Sequence, residues 1–165
     1  MNNLSHRAAD PSDAASISAL VADALIPATL PGWTAQSVAS LLAKASASGL
    51  RDNIREAAFA HVVVEAGTIV GFILAKQVRF INLVVVAPSV QRLGIGSQLV
   101  KLMLSGVADT APDVSVVEVN ATEHSFPFYR RLGFYPLSEF IEYDGCRFAR
   151  LGYWRRNPLL LSRDG

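Results

Sequence analysis

Cysteine is almost missing from this chain, and that scarcity narrows the chemistry before any motif is considered. Cys146 stands alone, so no disulfide can close within the chain, and no C-x-x-C or Cys/His spacing suggests zinc; no metal is expected. An excess of one charge is also lacking, since 15 lysines and arginines face 14 aspartates and glutamates for a net charge of +1. Binding nucleic acid or an anionic bilayer through bulk charge needs a basic excess. Neither partner is expected, and any cationic site must be local. No stretch approaches the roughly 18 apolar residues of a membrane helix. The N-terminal stretch, with Asp10 and Asp13 close to its start, lacks the apolar core of an export signal, so a cytoplasmic location is the expectation. Internal repeats and low-complexity tracts are missing too.

What is present is a globular composition, 51% hydrophobic and 18% charged over 165 residues, enough for one domain with a substantial core. Residues 4–9 read as a first strand. Asp10-Pro11-Ser12-Asp13 then carries a helix start, with a capping acid, a proline at the first helical position and a second acid. Ile17, Leu20, Val21, Ala24 and Leu25 share one face, and the helix should end before Pro27. Pro27, Pro31 and Gly32 mark a loop that ends in Trp33, either a gate over a pocket or a staple for the next helix. That second helix puts Val38, Leu41, Leu42 and Ala45 on one face and is expected to stop at Gly49.

Residues 59–65, 68–78 and 80–86 read as three consecutive strands in an antiparallel meander, turning first at Ala66-Gly67. A further strand spans 114–120, a segment at 122–132 closes in Leu132-Gly133-Phe134, and strands at 135–143 and 146–153 flank Asp144-Gly145. The order β-α-α-β-β-β-α-β-α-β-β predicts an α/β (α+β) fold, a single mixed, mostly antiparallel sheet of about seven strands flanked by about four helices.

The chain is organised around one stretch. Val84, Val85 and Val86 end a strand at Ala87-Pro88, a short loop follows, and Gly94-Ile95-Gly96 opens a helix with Ile95, Leu99, Leu102, Met103 and Gly106 at helical spacing. The amides of Gly94, Ile95, Gly96 and Ser97 have no intrahelical partners, and Arg92 adds charge, which suits a phosphate or pyrophosphate. A bare G-x-G is equally compatible with a helix start that binds nothing. It is not a dinucleotide fingerprint, because Leu99 occupies the third glycine position and residues 87–93 intervene where that fold turns tightly. Nor does Gly-Lys-Ser/Thr follow, as a nucleotide-hydrolase loop requires.

Gln91-Arg92-Leu93-Gly94-Ile95-Gly96 after Val86-Ala87-Pro88 resembles the Q/R-x-x-G-x-G/A motif of the GNAT superfamily of acyl-CoA N-acyltransferases. Downstream, Phe128-Tyr129-Arg130-Arg131-Leu132-Gly133-Phe134 looks like its F-Y-x-x-L-G-F, and Val119-Asn120-Ala121-Thr122 resembles the V-N-A/S-S/T of one subgroup. The resemblance covers residues 1–154 as an N-acetyltransferase domain and leaves 155–165 as a tail. It implies acetyl-CoA as co-substrate, with the pyrophosphate on the loop Gln91, Arg92, Leu93, Gly94, Ile95, Gly96 and Ser97. The pantetheine arm would lie along Val84, Val85 and Val86, and Asn120 would hydrogen-bond cofactor or substrate. Peptide groups left free where the strand splays from the 114–120 strand can pair with such an arm as with an extra strand.

The implied reaction is direct attack of a primary amine of a small molecule or peptide on the thioester. It needs a base, an oxyanion donor such as a backbone N–H near Val85 or Val86, and an acid for the thiolate. Tyr129 can be that acid, as a phenol is protonated at neutral pH, and its position is the usual acid of the family. The base has no such candidate. Where some members carry a glutamate this chain has Phe80, and Asn82 cannot accept a proton, which leaves Glu118, Glu123, His124, His61 or the free amine's own neutral fraction. A non-catalytic acyl-CoA-binding or regulatory module of the same fold is therefore the competing expectation. Arg130-Arg131 and Arg155-Arg156 could meet a phosphate, and Leu159-Leu160-Leu161 could pack on the body or support a homodimer.

Overall fold

The first strand, β1 (Leu4–Ala8), runs into a 3-10 turn at Pro11–Asp13 and then α1 (Ala14–Leu25). The computed structural model describes residues 3–25 and 32–155; the prolyl loop at 26–31, Arg156 and Leu159-Leu160-Leu161 lie outside the described residues. The turn starts where the sequence predicts, because the Asp10 carboxylate accepts from the Ser12 amide at 2.8 Å and the Asp13 carboxylate accepts from the Asp10 amide at 2.8 Å. Arg7 forks onto both Asp13 oxygens at 2.7 and 2.9 Å, tying β1 to the start of α1. Ala14, Ile17, Leu20, Val21 and Leu25 of α1 are buried.

The expected second helix is two helices, α2 (Ala35–Lys44) and α3 (Ala47–Glu56), and Gly49 is not a stop. It lies in the first turn of α3, its amide donating to the Oγ of the cap residue Ser46 at 3.3 Å. A serine cap three residues before the glycine carries the signal that the glycine obscures. Leu50 and Ile54, four apart, are the residues α3 buries.

β2 (Phe59–Glu65) and β3 (Thr68–Ala75) form a hairpin whose two turn residues, Ala66 and Gly67, have φ of 47° and 81°, the left-handed pair that a two-residue turn requires. The next run is broken at Asn82 into β4 (Phe80–Ile81) and β5 (Leu83–Val86). β5 continues an antiparallel set in the order β1-β2-β3-β5. β4 instead pairs in parallel with β6 (Val116–Thr122), in the register Phe80 to Glu118 and Ile81 to Val119. β9 (Cys146–Trp154) then lies antiparallel to β6 and also pairs with the short β7 (Tyr135–Pro136) and β8 (Ile141–Tyr143). The architecture is thus the mixed, mostly antiparallel β-structure flanked by helices that the pattern predicts, divided into two hydrogen-bonded sheets of four and five strands rather than one. It carries a step at Asn82, and the expected 135–143 strand is likewise divided.

α4 (Ile95–Thr110) packs Ile95, Leu99, Val100, Met103 and Val107 onto the sheet, while the short α5 (Phe126–Arg131) follows β6. No helix among the described residues is long and apolar enough to cross a membrane.

Candidate active site

The step at Asn82 opens the sheet. The Asn82 amide donates to the Leu74 carbonyl at 2.9 Å and its Oδ1 accepts from the Lys76 amide at 2.7 Å, so one residue holds both sides of the bend. Beyond it β5 pairs with β3 alone, and β6 runs on without a partner on that side among the described residues. The Ala87 amide donates to Val70 of β3 at 2.8 Å. Peptide groups alternate along a strand, so those of Val85, opposite Phe72, also face β3. Those of Val84 and Val86 face the opening. The Val86 carbonyl accepts there from Gln91 Nε2 at 3.1 Å. The resulting cleft, about 290 Å³, is lined by Asn82, Val84, Val86, Asn120, Thr122 and Tyr129 among others, and at its far end by Val21, Ala24, Leu25, Trp33 and Leu41.

A second groove of about 730 Å³ continues the first, sharing Val84, Val86, Gln91, His124, Ser125 and Tyr129 with it. Its floor holds Arg92, Gly94, Ile95, Gly96 and Ser97. Gly94 caps α4 at φ 83°, a left-handed conformation that favours glycine, and the Gln98 amide takes its carbonyl at 3.0 Å as the helix begins. The amides of Ile95, Gly96 and Ser97 precede that bond and have no partner within the helix. Gly96 has a different reason to be glycine, because a Cβ would stand 3.3 Å from Phe128 Cζ. Leu93 does not join the groove; it is 58% exposed.

Tyr129 sits where the two grooves meet. It is 5% exposed, held edge-on between Phe128 (ring centroids 4.9 Å, 73°) and Phe134 (5.3 Å, 68°). Burial pushes its phenol well above the usual 10.0. Among the described residues its hydroxyl has no hydrogen-bond partner, although the side chain lines both grooves. The neighbouring Leu132-Gly133-Phe134 ends α5: Gly133 has φ 92°, and the amides of Leu132 and Phe134 both reach the Tyr129 carbonyl at 3.1 Å. That motif therefore fixes Tyr129 in place.

The remaining candidates separate. Asn120 lies at the cleft mouth, its Oδ1 accepting from Arg150 Nε at 3.3 Å. Phe80 faces Glu118 in register, with the Arg150 guanidinium 5.6 Å from its ring and 3.3 Å from Glu118 Oε2. Glu123 pairs with Arg147. His61 stacks on Phe59 at 4.5 Å, away from the cleft, and burial holds its pKa below the usual 6.5. Of the arginine pairs, Arg130 donates to the Phe134 carbonyl at 2.8 Å, Arg155 holds the Ala111 and Val114 carbonyls at 3.0 and 2.8 Å, and Arg131 alone lines the groove. Trp33 is pinned by a bridge to Cys146 and lines both the cleft and a side pocket of about 190 Å³. Val21, Ala24 and Leu41 were not legible as cleft residues, because their helical spacing marks only a buried face. Thr122 and Ser125 were more accessible to reading: a threonine three residues before a serine after a strand signals the turn they form, with Thr122 Oγ1 accepting from the Ser125 amide at 3.3 Å. No group of three or more His, Cys, Asp or Glu among the described residues could hold a metal.

A mixed β-structure that opens beside a glycine-capped helix, with a buried tyrosine at the junction, has an open strand edge of the kind an extended ligand can pair with. Residues 29–152 match the family model described as an acetyltransferase (GNAT) domain, and the chain belongs to that family. Solved structures share the fold. A GCN5-related N-acetyltransferase from Rhodopseudomonas palustris aligns with a TM-score of 0.79 at 17% identity, over 93% of this chain and 97% of that one. The PaiA N-acetyltransferase of Thermoplasma acidophilum, in complex with coenzyme A, aligns at 0.71 and 14%, over 92% and 99%. A GNAT family acetyltransferase from Brucella melitensis, in complex with acetyl-CoA, aligns at 0.63 and 20%, over 96% and 93%. No curated protein matches the sequence.

Proposed function

We propose that the protein transfers an acetyl group from acetyl-CoA to a primary amine of a small molecule or peptide by direct attack, with Tyr129 protonating the leaving thiolate. The observation that carries this is the continuity of the groove from the free amides of α4 to the open edge of β5, with the Tyr129 side chain at the junction. The chain's residues fit the ligand. Three unpaired helix amides with Arg92 and Arg131 suit a pyrophosphate, and the outward peptide groups of Val84 and Val86 suit an amide-bearing arm. The Val84 or Val86 N–H serves the oxyanion; Val85, turned to β3, does not. Burial raises the pKa of the Tyr129 phenol, so it is protonated at neutral pH and available as a donor, while the same shift makes it a weaker acid than a free phenol. The apolar end at Val21, Leu25 and Leu41 suits an acceptor with a compact apolar body. We place this activity in residues 1–154 and in the cytoplasm.

One observation favours a second reading, a non-catalytic acyl-CoA-binding module: Phe80 stands where a carboxylate is expected, and Glu118 beside it is engaged by Arg150. Titration with acetyl-CoA in a calorimeter, followed by thiol release from acetyl-CoA across a panel of amines, separates the two. Binding with amine-dependent thiol release is expected. Binding without release from any amine supports the module, and no binding overturns both.

A further inference from the structure

We propose that His124 is the general base of the transfer, an inference that rests on the reading above. Four side chains could take the proton from the amine, and the fold sorts them. Glu118 reaches Arg150 at 3.3 Å and lies outside both grooves. Glu123 is paired with Arg147 and likewise lines neither. His61 is stacked on Phe59, on β2. His124 lines both grooves, and among the described residues the only other ionisable side chain the two share is Tyr129. Residues 26–31, which adjoin the cleft in sequence, are Ile, Pro, Ala, Thr, Leu and Pro and supply no base. Asp144 belongs to the side pocket, where it faces Lys44 at 3.8 Å.

The turn after β6 presents the imidazole. Ser125 and Thr122 close it through the 3.3 Å amide bond and an Oγ to Oγ contact of 3.1 Å, which leaves His124 at the tip and exposed. The charged and titratable groups around it are Tyr129 and Arg131 on α5, Arg92 before α4, and Glu123 with Arg147 on the flank. A neutral imidazole offers one nitrogen lone pair as a proton acceptor. In the step, the amine nitrogen bonds to the thioester carbonyl carbon and its proton passes to His124, directly or through one water. The carbon–sulfur bond breaks, and the sulfur takes the Tyr129 proton. Water then carries the proton from His124 back to the Tyr129 oxygen, leaving amide and free thiol as net products.

The test is His124→Gln, which keeps the size and polarity but cannot take a proton. The expected result is a fall of about 100-fold in kcat/KM at neutral pH with unchanged acetyl-CoA affinity, a shallower acidic limb of the pH profile that retains the amine's own protonation, and partial rescue by added imidazole. A variant with wild-type kcat/KM, or with an equal loss at every pH and no rescue, overturns the assignment of His124 alone. A wild-type protein that binds acetyl-CoA yet releases no thiol with any amine overturns the transferase reading and this inference with it.

Discussion

Replacing Tyr129 with phenylalanine separates a proton donor from a core aromatic, because the first role predicts a large loss of turnover and the second predicts none. The ring packs against Phe128 and Phe134 at centroid distances of 4.9 and 5.3 Å, and Phe keeps both contacts. The hydroxyl makes no hydrogen bond among the described residues, so its removal leaves no broken pair and deletes a polar atom from a site only 5% exposed. Stability should therefore stay within about 1 kcal/mol of wild type or rise slightly. Tyr129→Ala, by contrast, should cost about 3–5 kcal/mol through the cavity it leaves. Loss of a general acid should lower kcat by roughly 100-fold to 10,000-fold, or about 3–5 kcal/mol in the barrier. Titration of the phenol gives a further handle. An unfolded tyrosine loses its proton near pH 10.0, whereas burial raises the native value. The native state then binds more protons above pH 10, so stability from this group is complete below that pH and declines as pH rises beyond it. The Phe variant should decline less steeply between pH 10 and 12. The assays are thiol release under saturating acetyl-CoA, and denaturant unfolding at neutral and alkaline pH. Undiminished turnover in Tyr129→Phe would refute the acid role; a large loss of stability would refute the packing argument.

Two further predictions address the frame of the site. Gly94→Ala meets no atom within 4 Å, so its cost is conformational, about 1–2 kcal/mol for a non-glycine residue at φ 83°; thermal unfolding should show that loss, and calorimetry should show weaker acetyl-CoA binding. In Asp13→Asn, the carboxylate that accepts from Arg7 and from the Asp10 amide disappears, which should cost about 1 kcal/mol at neutral pH given the partial exposure of Arg7. The hydrogen bonds from Arg7, ahead of the amide and coulombic contributions, hold the Asp13 pKa below its ordinary 3.8. This stability is present above pH 3.8 and lost as pH falls through the lower native value, so the Asn variant should show a shallower acid limb in urea unfolding below pH 4.

Much of this frame was legible in the sequence because it is written locally. The capping box at Asp10 and Asp13, the two-residue turn at Ala66-Gly67 and the glycine start of α4 each depend on neighbours in the chain. The missed features depend on contacts far apart in sequence. Gly49 reads as a helix end unless Ser46 is weighed first, and in residues 80–86 the polar Asn82 marks an interruption without showing that the two halves pair with different strands. The direction of the Val85 peptide groups follows only from pairing with Phe72 on β3. The arginine pairs show the same limit, since composition cannot tell that Arg155 caps α4 while Arg131 faces the groove.

The break at Asn82 links the shape of the cleft to the missing carboxylate. Because β4 leaves β3's side of the sheet and pairs in parallel with β6, residue 80 stands opposite Glu118 rather than beside the opening. A glutamate there would set two carboxylates against each other across one strand pair, with Arg150 shared between them, a like-charge pairing that opposes ionisation of both. Phe80 avoids that conflict: Arg150 engages Glu118 and covers the aromatic ring, closing this side of the sheet with matched charge. The parallel pair ends at Val119, pairing with β9 carries β6 on to Thr122, and the turn at Thr122–Ser125 then brings His124 to the cleft. With His124 as the proposed base, proton transfer is assigned to the turn before α5 rather than to the strand before the glycine loop. On the proposed assignment, acid and base are neighbours on one short segment, and the strand edge is left for the ligand.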